Sequence, residues 1–527
     1  MEFIENDPLL LGDHEPKNLD STDPENLTPV QEFYRGASVL ITGATGFLGK
    51  ILLEKLLRSC GEVSTVYLLV RNKKGKAVAT RVDEIFDEVV FERLKKECPK
   101  FRHKVVGVAG DCSLPDLGLS LEDRKRLIEN VTIVFHVAAT VRFDEKLKTA
   151  IDINVRATQD MLRLAREMPK LKSYIHVSTA YSNCVEPVIE ERIYPPAMDY
   201  KKLLVMSDTL SDKLLDNLVP TILEKYPNTY AFTKQIAESV VQDLGKSLPV
   251  GITRPSIVVS TVKEPVRAWI NNMYGATGVV AGSGVGLLRT LHCDKNSNAN
   301  IVPVDMCVNS MIAAAWDVNE QFFDAVINEK DFDIPIYNFE SSNDCPITWE
   351  YFMNTSLKYG FSIPSAKAIW YFCLILEKNL LLYTLYTFFL HTVPALLVDG
   401  ALLCIGKKPK MMKVYSKVNK FSKVLSYFAL KNWTFKSYNV QRVCRKMSDR
   451  DNRIFFSDLR QLNWDMFFQA YLRGVRVFLI NDPMDTLPAA NVKWRRLYWA
   501  HQTTKVVLAY FVLRFLWTCV SFFFNFL

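Results

Sequence analysis

At 527 residues, 49% hydrophobic and 23% charged, the chain exceeds one ordinary domain and is too apolar to be disordered, so two folded domains plus tails are expected. Its formal charge is +8, yet the first thirty residues hold eight acidic side chains against one lysine, so the basic excess lies further along. Eleven cysteines without paired metal spacing and seven unclustered histidines argue against a zinc module or a disulfide scaffold, and no metal is expected.

Residues 1–34 read as a disordered acidic tail and not as a signal peptide. The apolar run Ala37 to Ile41, the sequence Thr42-Gly-Ala-Thr-Gly-Phe-Leu-Gly49 and the amphipathic stretch Lys50 to Arg58 predict strand, glycine turn and helix. In that setting Gly43 permits the turn, Gly46 lets the backbone approach a pyrophosphate, and Gly49 lets the helix pack close to the strand. The loop, with Thr45, Phe47 and Leu48 between and beside the glycines, is therefore assigned to a dinucleotide whose pyrophosphate sits at the helix N-terminus.

A second strand, Val66 to Val70, ends at Arg71-Asn-Lys-Lys74 with no acidic residue to hold a free ribose hydroxyl. A cation there suits a 2′-phosphate, so NADPH is expected rather than NADH; a solvated basic turn is the plainer alternative. Strands over Val105 to Val108 and Val131 to Val137 follow, ending at Gly110-Asp111 and Ala138-Ala139. The small residues, Ala138 among them, leave room for a cofactor. Asp111 either bonds the adenine amino group or caps a turn. His136 and His176 sit inside apolar strands and read as packed core residues.

The next strand, Ser173 to Val177, ends in Ser178-Thr179-Ala180-Tyr181, which sets two hydroxyls where open α/β sheets place their chemistry. Either can donate to a carbonyl oxygen, although satisfying loop backbone is the plainer role. Tyr230 and Lys234 then stand one helical turn apart. A free phenol titrates near ~10, and an ammonium that favours the phenolate brings it toward working pH, which makes the pair a candidate acid/base device beside a nicotinamide.

These motifs, with Arg254-Pro-Ser256 and Val302-Pro-Val-Asp305, resemble the extended short-chain dehydrogenase/reductases from about Ser38 to Asp305. Lys263-Glu-Pro265, Trp269, Gly275 and, near the C-terminus, Met447-Ser-x-x-Asp451, Phe456, Asn463-Trp464 and Gly474-Val-Arg476 narrow the resemblance to the fatty acyl-CoA reductases. The resemblance implies an α/β fold class: a Rossmann-type doubly wound parallel sheet with a substrate subdomain over 35–345, a mainly helical C-terminal domain over 346–505, and a hydrophobic helix over 506–527. It implies that Tyr230 gives a proton to the reacting oxygen, that Lys234 holds the nicotinamide ribose and depresses the phenol, and that Thr179, ahead of Ser178, steadies the oxygen. Asn154 matches a position that anchors the active-site helix or a relay water. The implied reaction takes a long-chain fatty acyl-CoA to the alcohol with two NADPH. On the same footing the insertion Tyr181 to Thr229 is a candidate lid, and the glycine-rich stretch Ala268 to Leu288 either walls an acyl tunnel or is a mobile loop. A sterol or nucleotide-sugar reductase shares the first three motifs, and a cofactor-binding scaffold shares the glycine loop.

Residues 379–398 contain no Asp, Glu, Lys or Arg, and read as a spanning, dipping or buried helix. The lysines from Lys407 to Lys423 follow in a stretch without acidic residues, which favours an anionic membrane face over nucleic acid. Residues 506–527 carry one charge, Arg514, behind Lys493-Trp-Arg-Arg496 and Tyr498-Trp499, which fits a membrane anchor with a cytosolic basic flank or a helix lying in the interface. Endoplasmic reticulum and peroxisome are the two expected addresses.

Overall fold

The computed structural model describes residues 26–72 and 75–524. They form two compact units that interleave along the chain: the first runs to Asn271 and takes in Asn296–Trp349 and Tyr427–Tyr471, and the second comprises Asn272–Lys295, Glu350–Ser426 and the residues from Leu472 onward.

The first unit is built on seven parallel strands: β1 (Ser38–Thr42), β2 (Thr65–Val70), β3 (Val105–Ala109), β4 (Ile133–His136), β5 (Ser173–Val177), β6 (Val250–Pro255) and β7 (Ile336–Phe339). They lie in the order β7-β6-β5-β4-β1-β2-β3. Val39 pairs with Val66 on one side and Ile133 on the other, so the order reverses at β1 and opens a crevice at the carboxyl ends of β1 and β4. The strands read as continuous apolar runs because both faces are covered by helices.

Helix α1 (Phe47–Ser59) follows the glycine loop and departs from simple amphipathicity, for Glu54, Lys55 and Arg58 are as buried as its leucines. An ion network explains this. Arg58 bonds Glu54 at 2.7 Å and Glu264 at 2.9 Å, Arg93 bonds Glu264 at 3.0 Å, and Lys55 also donates to Glu264. Burial alone would raise the Glu264 carboxyl, but the three cations hold it far below the ordinary carboxylate range. Asp305 completes the turn by accepting from the backbone amides of Val262, Lys263 and Glu264.

Residues 1–25 of the expected tail lie outside the described residues, but Pro29–Tyr34 is helical, because Thr28 and Gln31 form a reciprocal capping box and Pro29 opens the first turn. Tyr34 is buried and donates to the Ile312 carbonyl at 3.0 Å. The insertion after Tyr181 is likewise no bare loop: helices Tyr200–Thr209 and Asp212–Leu223 place Leu203, Leu204 and Leu215 in the same core as Phe232 and Ile236. Thr434–Phe435 pairs with Val188–Ile189, and Arg442 grips Asp317 through two bonds of 2.7 and 2.9 Å, so residues 427–471 belong to the sheet-bearing unit.

The second unit is mainly helical. Helix Gly275–Gly284, the paired strands Thr290–His292 and Ile375–Glu377, and helices further on compose it. Two helical stretches, Leu380–Cys404 and Met484–Ser521, are long and apolar enough to cross a membrane, and little of their apolar surface is buried.

Candidate active site

The glycine loop is shaped by close backbone approaches. Gly43 has φ +76°, and a Cβ there would stand 2.8 Å from the Ala138 nitrogen; a Cβ on Gly49 would meet the Gly43 carbonyl oxygen at 2.2 Å. Thr42 ties the crevice together, its hydroxyl accepting from the Ala138 amide at 3.1 Å and meeting His136 Nδ1 at 2.9 Å. Gly46 is the N-cap of α1 and supplies no side chain to the first amides, while Thr45 and Gly46 are exposed and Phe47 and Leu48 half-buried. Uncapped amides at a helix N-terminus, with bare backbone in front of them, fit a dinucleotide pyrophosphate. Trp269 stacks on Phe47 at 5.6 Å, which gives that residue a place behind the loop.

Arg71 is exposed at the end of β2, and Arg81 donates to its carbonyl oxygen, adding a second cation that the sequence reading passed over. Lys73 and Lys74 lie outside the described residues. Asp111 accepts from the Ser113 amide at 2.9 Å and hydroxyl at 2.8 Å, so one of its oxygens caps its own turn. His136 and His176 are fully buried; burial and the Lys234 ammonium hold His136 down to about 3, which keeps it neutral.

Helix α2 (Thr229–Gly245) begins at Asn228, whose side chain accepts from the Ala231 amide at 2.8 Å. Tyr230, Lys234 and Glu238 follow at four-residue steps, on one face. That face meets the end of β5 residue by residue. The Tyr230 phenol lies beside the Thr179 hydroxyl, which draws its pKa down, and that hydroxyl donates to the Pro255 carbonyl at 3.4 Å. Lys234 Nζ donates to the Val177 carbonyl at 2.7 Å. Glu238 receives the Ser178 hydroxyl at 2.5 Å, the Ser182 hydroxyl at 2.9 Å and the buried Arg254 guanidinium at 2.6 and 2.9 Å. Of the two candidate hydroxyls, Thr179 therefore faces the phenol and Ser178 is committed to the Glu238 cluster.

Asn154 lies in a π-helical turn, Ile151–Arg156. Its carbonyl oxygen accepts from the Thr140 amide at 3.0 Å, and its amide donates to the Thr233 hydroxyl at 2.9 Å. It thus ties the loop after β4 to α2, between Tyr230 and Lys234.

Burial pushes the Tyr230 phenol up to about 12, with Thr179 pulling the other way, and pushes Lys234 down to about 8, with Glu238 opposing. The sequence expectation had Lys234 depressing the phenol. In this geometry the ammonium is engaged by the Val177 carbonyl, and burial outweighs the rest. A phenol held above neutral pH stays protonated, which suits a proton donor.

An aromatic cluster meets the Tyr230 ring through Phe143, and sequence reasoning missed it. Phe143 lies 5.8 Å from Tyr230 and 5.7 Å from Phe428, and Tyr181 meets Phe428, Trp433 and Phe435 edge-on. Tyr427 and Trp433 both donate to the Cys184 carbonyl at 3.1 Å. The available signal was the cluster Tyr427-Phe428 and Trp433 at the end of a lysine-rich stretch.

A family model described as male sterility protein matches residues 41–311, and a second with the same description matches 390–482. The chain is 43% identical to the fatty acyl-CoA reductase wat of Drosophila melanogaster over 92% of each chain. It is 38% identical to fatty acyl-CoA reductase 1 of Homo sapiens, covering 92% of this chain and 93% of that one. Among solved structures, the reductase domain of a nonribosomal peptide synthetase from Mycobacterium tuberculosis aligns with TM-score 0.56 at 18% identity, covering 89% of this chain and 97% of that one. The terminal R domain of the myxalamid PKS-NRPS pathway aligns with TM-score 0.52 at 18% identity, covering 85% and 92%. At that identity the two structures speak for the fold.

Proposed function

The chain belongs to the fatty acyl-CoA reductase family, and from that premise we propose that it reduces a long-chain fatty acyl-CoA to the alcohol with NADPH, releasing CoA and passing through the aldehyde. The observation that carries the reading is the Tyr230 phenol beside the Thr179 hydroxyl at the carboxyl end of β5, with Lys234 Nζ bonded to the Val177 carbonyl of that strand, in the unit whose glycine loop fits a dinucleotide. When bound, the cofactor supplies the hydride.

The rest of the work falls to this chain's own side chains. Tyr230 gives its proton to the carbonyl oxygen as charge develops there, and Thr179 holds that oxygen with a second hydrogen bond. Lys234, charged at neutral pH, supports the ribose and keeps positive charge behind the site. Asn154 fixes the depth of α2, and Arg254 with Glu238 fixes its far end. The exposed Arg71, with Arg81 beside it, supports a 2′-phosphate and hence NADPH. Phe143, Tyr181 and Phe428 keep water from the reacting carbon.

In this reading the first unit carries the chemistry, and the second carries the membrane attachment through the apolar stretches around 380–404 and 484–521, with the catalytic unit on the cytosolic side of the endoplasmic reticulum or peroxisome. Product analysis with NADPH and acyl-CoAs of graded chain length tests the reaction. Free alcohol and CoA in equal amounts are expected, with two NADPH consumed per alcohol, and release of aldehyde without alcohol overturns the four-electron scheme.

A further inference from the structure

The second unit contains a cavity of about 600 Å³, mouth included, whose wall is mostly apolar, with Val280, Leu357, Phe361 and Leu472 among its residues. Ser283, Ser356, Ser365 and Arg476 interrupt the apolar wall; Ser283 and Ser365 are hydrogen-bonded within the protein, whereas the other two each carry an unmatched donor. Arg476 is 2% exposed, and its Nε donates to the Asp482 carbonyl at 3.1 Å and its Nη2 to Pro483 at 3.2 Å and Thr486 at 2.7 Å, but Nη1 has no partner. Ser356 is 5% exposed, and its hydroxyl has none either. A buried donor left unmatched is costly, so two in one apolar wall point to an acceptor that arrives with a ligand.

The charge balance narrows that acceptor. The Asp482 carboxylate stands 3.5 Å from Arg476 Nε and matches its charge, so a second anion would be in excess, whereas a neutral oxygen would satisfy both donors. We propose that this cavity binds a single alkyl chain ending in a neutral oxygen, a long-chain primary alcohol, with the chain along the apolar wall and the oxygen on Arg476 and Ser356. The choice of alcohol among neutral-headed lipids rests on the proposed reaction, whereas the cavity and its donors do not. Such a site would hold the product in the second unit, whereas Tyr230 and Thr179 belong to the first.

The test uses the full chain in detergent and a long-chain alcohol carrying a photoreactive diazirine, with no acyl-CoA or NADPH present. Labelling is expected on peptides covering 275–284, 350–365 and 472–480, with hexadecanol competing at least tenfold better than hexadecanoate or hexadecane. Gly284 lines the cavity, and a Cβ there meets nothing within 4 Å, so Gly284→Phe fills the space without a backbone clash. It is expected to cut labelling at least tenfold while NADPH affinity stays unchanged. Ser356→Ala is expected to narrow the preference for alcohol over alkane. Undiminished labelling of Gly284→Phe, equal competition by hexadecane, or better competition by hexadecanoate overturns the proposal; the last would mean a carboxylate site. Labelling without acyl reduction counts against the proposed reaction alone, and acyl reduction without labelling counts against this cavity alone.

Discussion

Alanine at Gly46 and alanine at Gly49 separate the two tasks of the glycine loop. At Gly49 the added Cβ would lie 2.2 Å from the Gly43 carbonyl oxygen and 2.8 Å from Ala44 Cα, both backbone atoms that cannot rotate away. Reaching ordinary contact requires α1 and the loop to part by about 1 Å, and overpacking of that kind costs roughly 1–3 kcal/mol. Gly49→Ala should therefore lower the melting temperature and weaken NADPH binding together. Gly46 differs, with φ −85° and a Cβ contact of 3.2 Å to the same oxygen, so alanine there needs only a few tenths of an ångström of adjustment. Its N-cap cost stays under about 1 kcal/mol. What the methyl does is stand where a pyrophosphate meets the first amides of α1, so the expected result is a wild-type melting temperature with NADPH Kd raised at least tenfold, about 1.4 kcal/mol. Thermal unfolding and fluorescence titration of NADPH read the two quantities separately. Unchanged NADPH affinity in Gly46→Ala would refute the pyrophosphate placement, and an unchanged melting temperature in Gly49→Ala would refute the packing argument.

Other substitutions test the chemistry. Tyr230→Phe should lower kcat by about 10² to 10⁴ with NADPH Kd unchanged, and a variant keeping a tenth of wild-type kcat would contradict its role as proton donor. Thr179→Val should cost about 10² to 10³ in kcat, whereas Ser178→Ala, which strips a donor from Glu238, should lower stability and leave the activity of the folded protein largely intact; equal kinetic losses in both would undo the assignment. Arg71→Ala should raise the Kd for NADPH at least tenfold and leave that for NADH unchanged, by parallel titration. Lys234 has a folded pKa of about 8 against 10.5 ordinarily, so the folded state binds fewer protons than the unfolded state between those values. Its destabilising effect is complete below pH 8 and is lost as pH rises to 10.5, so wild type should gain on Lys234→Met by up to roughly 3 kcal/mol across that window, and a flat difference in denaturation midpoint between pH 7.5 and 10 would rule this out.

Where sequence and structure agree, a local rule was enough. The strand-turn-helix around Gly43, Gly46 and Gly49 depends on neighbours within ten residues, and so does the one-turn spacing of Tyr230 and Lys234. What was not legible depended on partners far away in the chain. Nothing near Glu54 or Arg58 announces that they will be buried, because the group that makes burial tolerable, Glu264, lies about two hundred residues on. Likewise the choice between Ser178 and Thr179 is made by α2, and the aromatic cluster draws on residues 427–435, which belong to the sheet-bearing unit although Glu350–Ser426 of the second unit precede them in the chain. A linear division of the chain cannot express that interleaving.

Glu238 shows what a longer reading of one pattern would have yielded. The spacing from Tyr230 to Lys234 repeats once more to Glu238, so three polar groups share one helical face that a purely structural helix would fill with apolar side chains. Each has a different place at the end of β5: Glu238 holds Ser178 and Arg254, Lys234 holds the Val177 carbonyl, and Tyr230 lies beside Thr179. The first two anchor the helix against the strand, so the third is positioned without anchoring anything itself. Glu238 also opposes the burial that depresses Lys234, which keeps the ammonium charged near neutral pH. Positional precision at Tyr230 therefore derives from a buried ion pair two turns away, and the phenol, its pKa raised by burial, keeps its proton at neutral pH, as the proposed reaction requires.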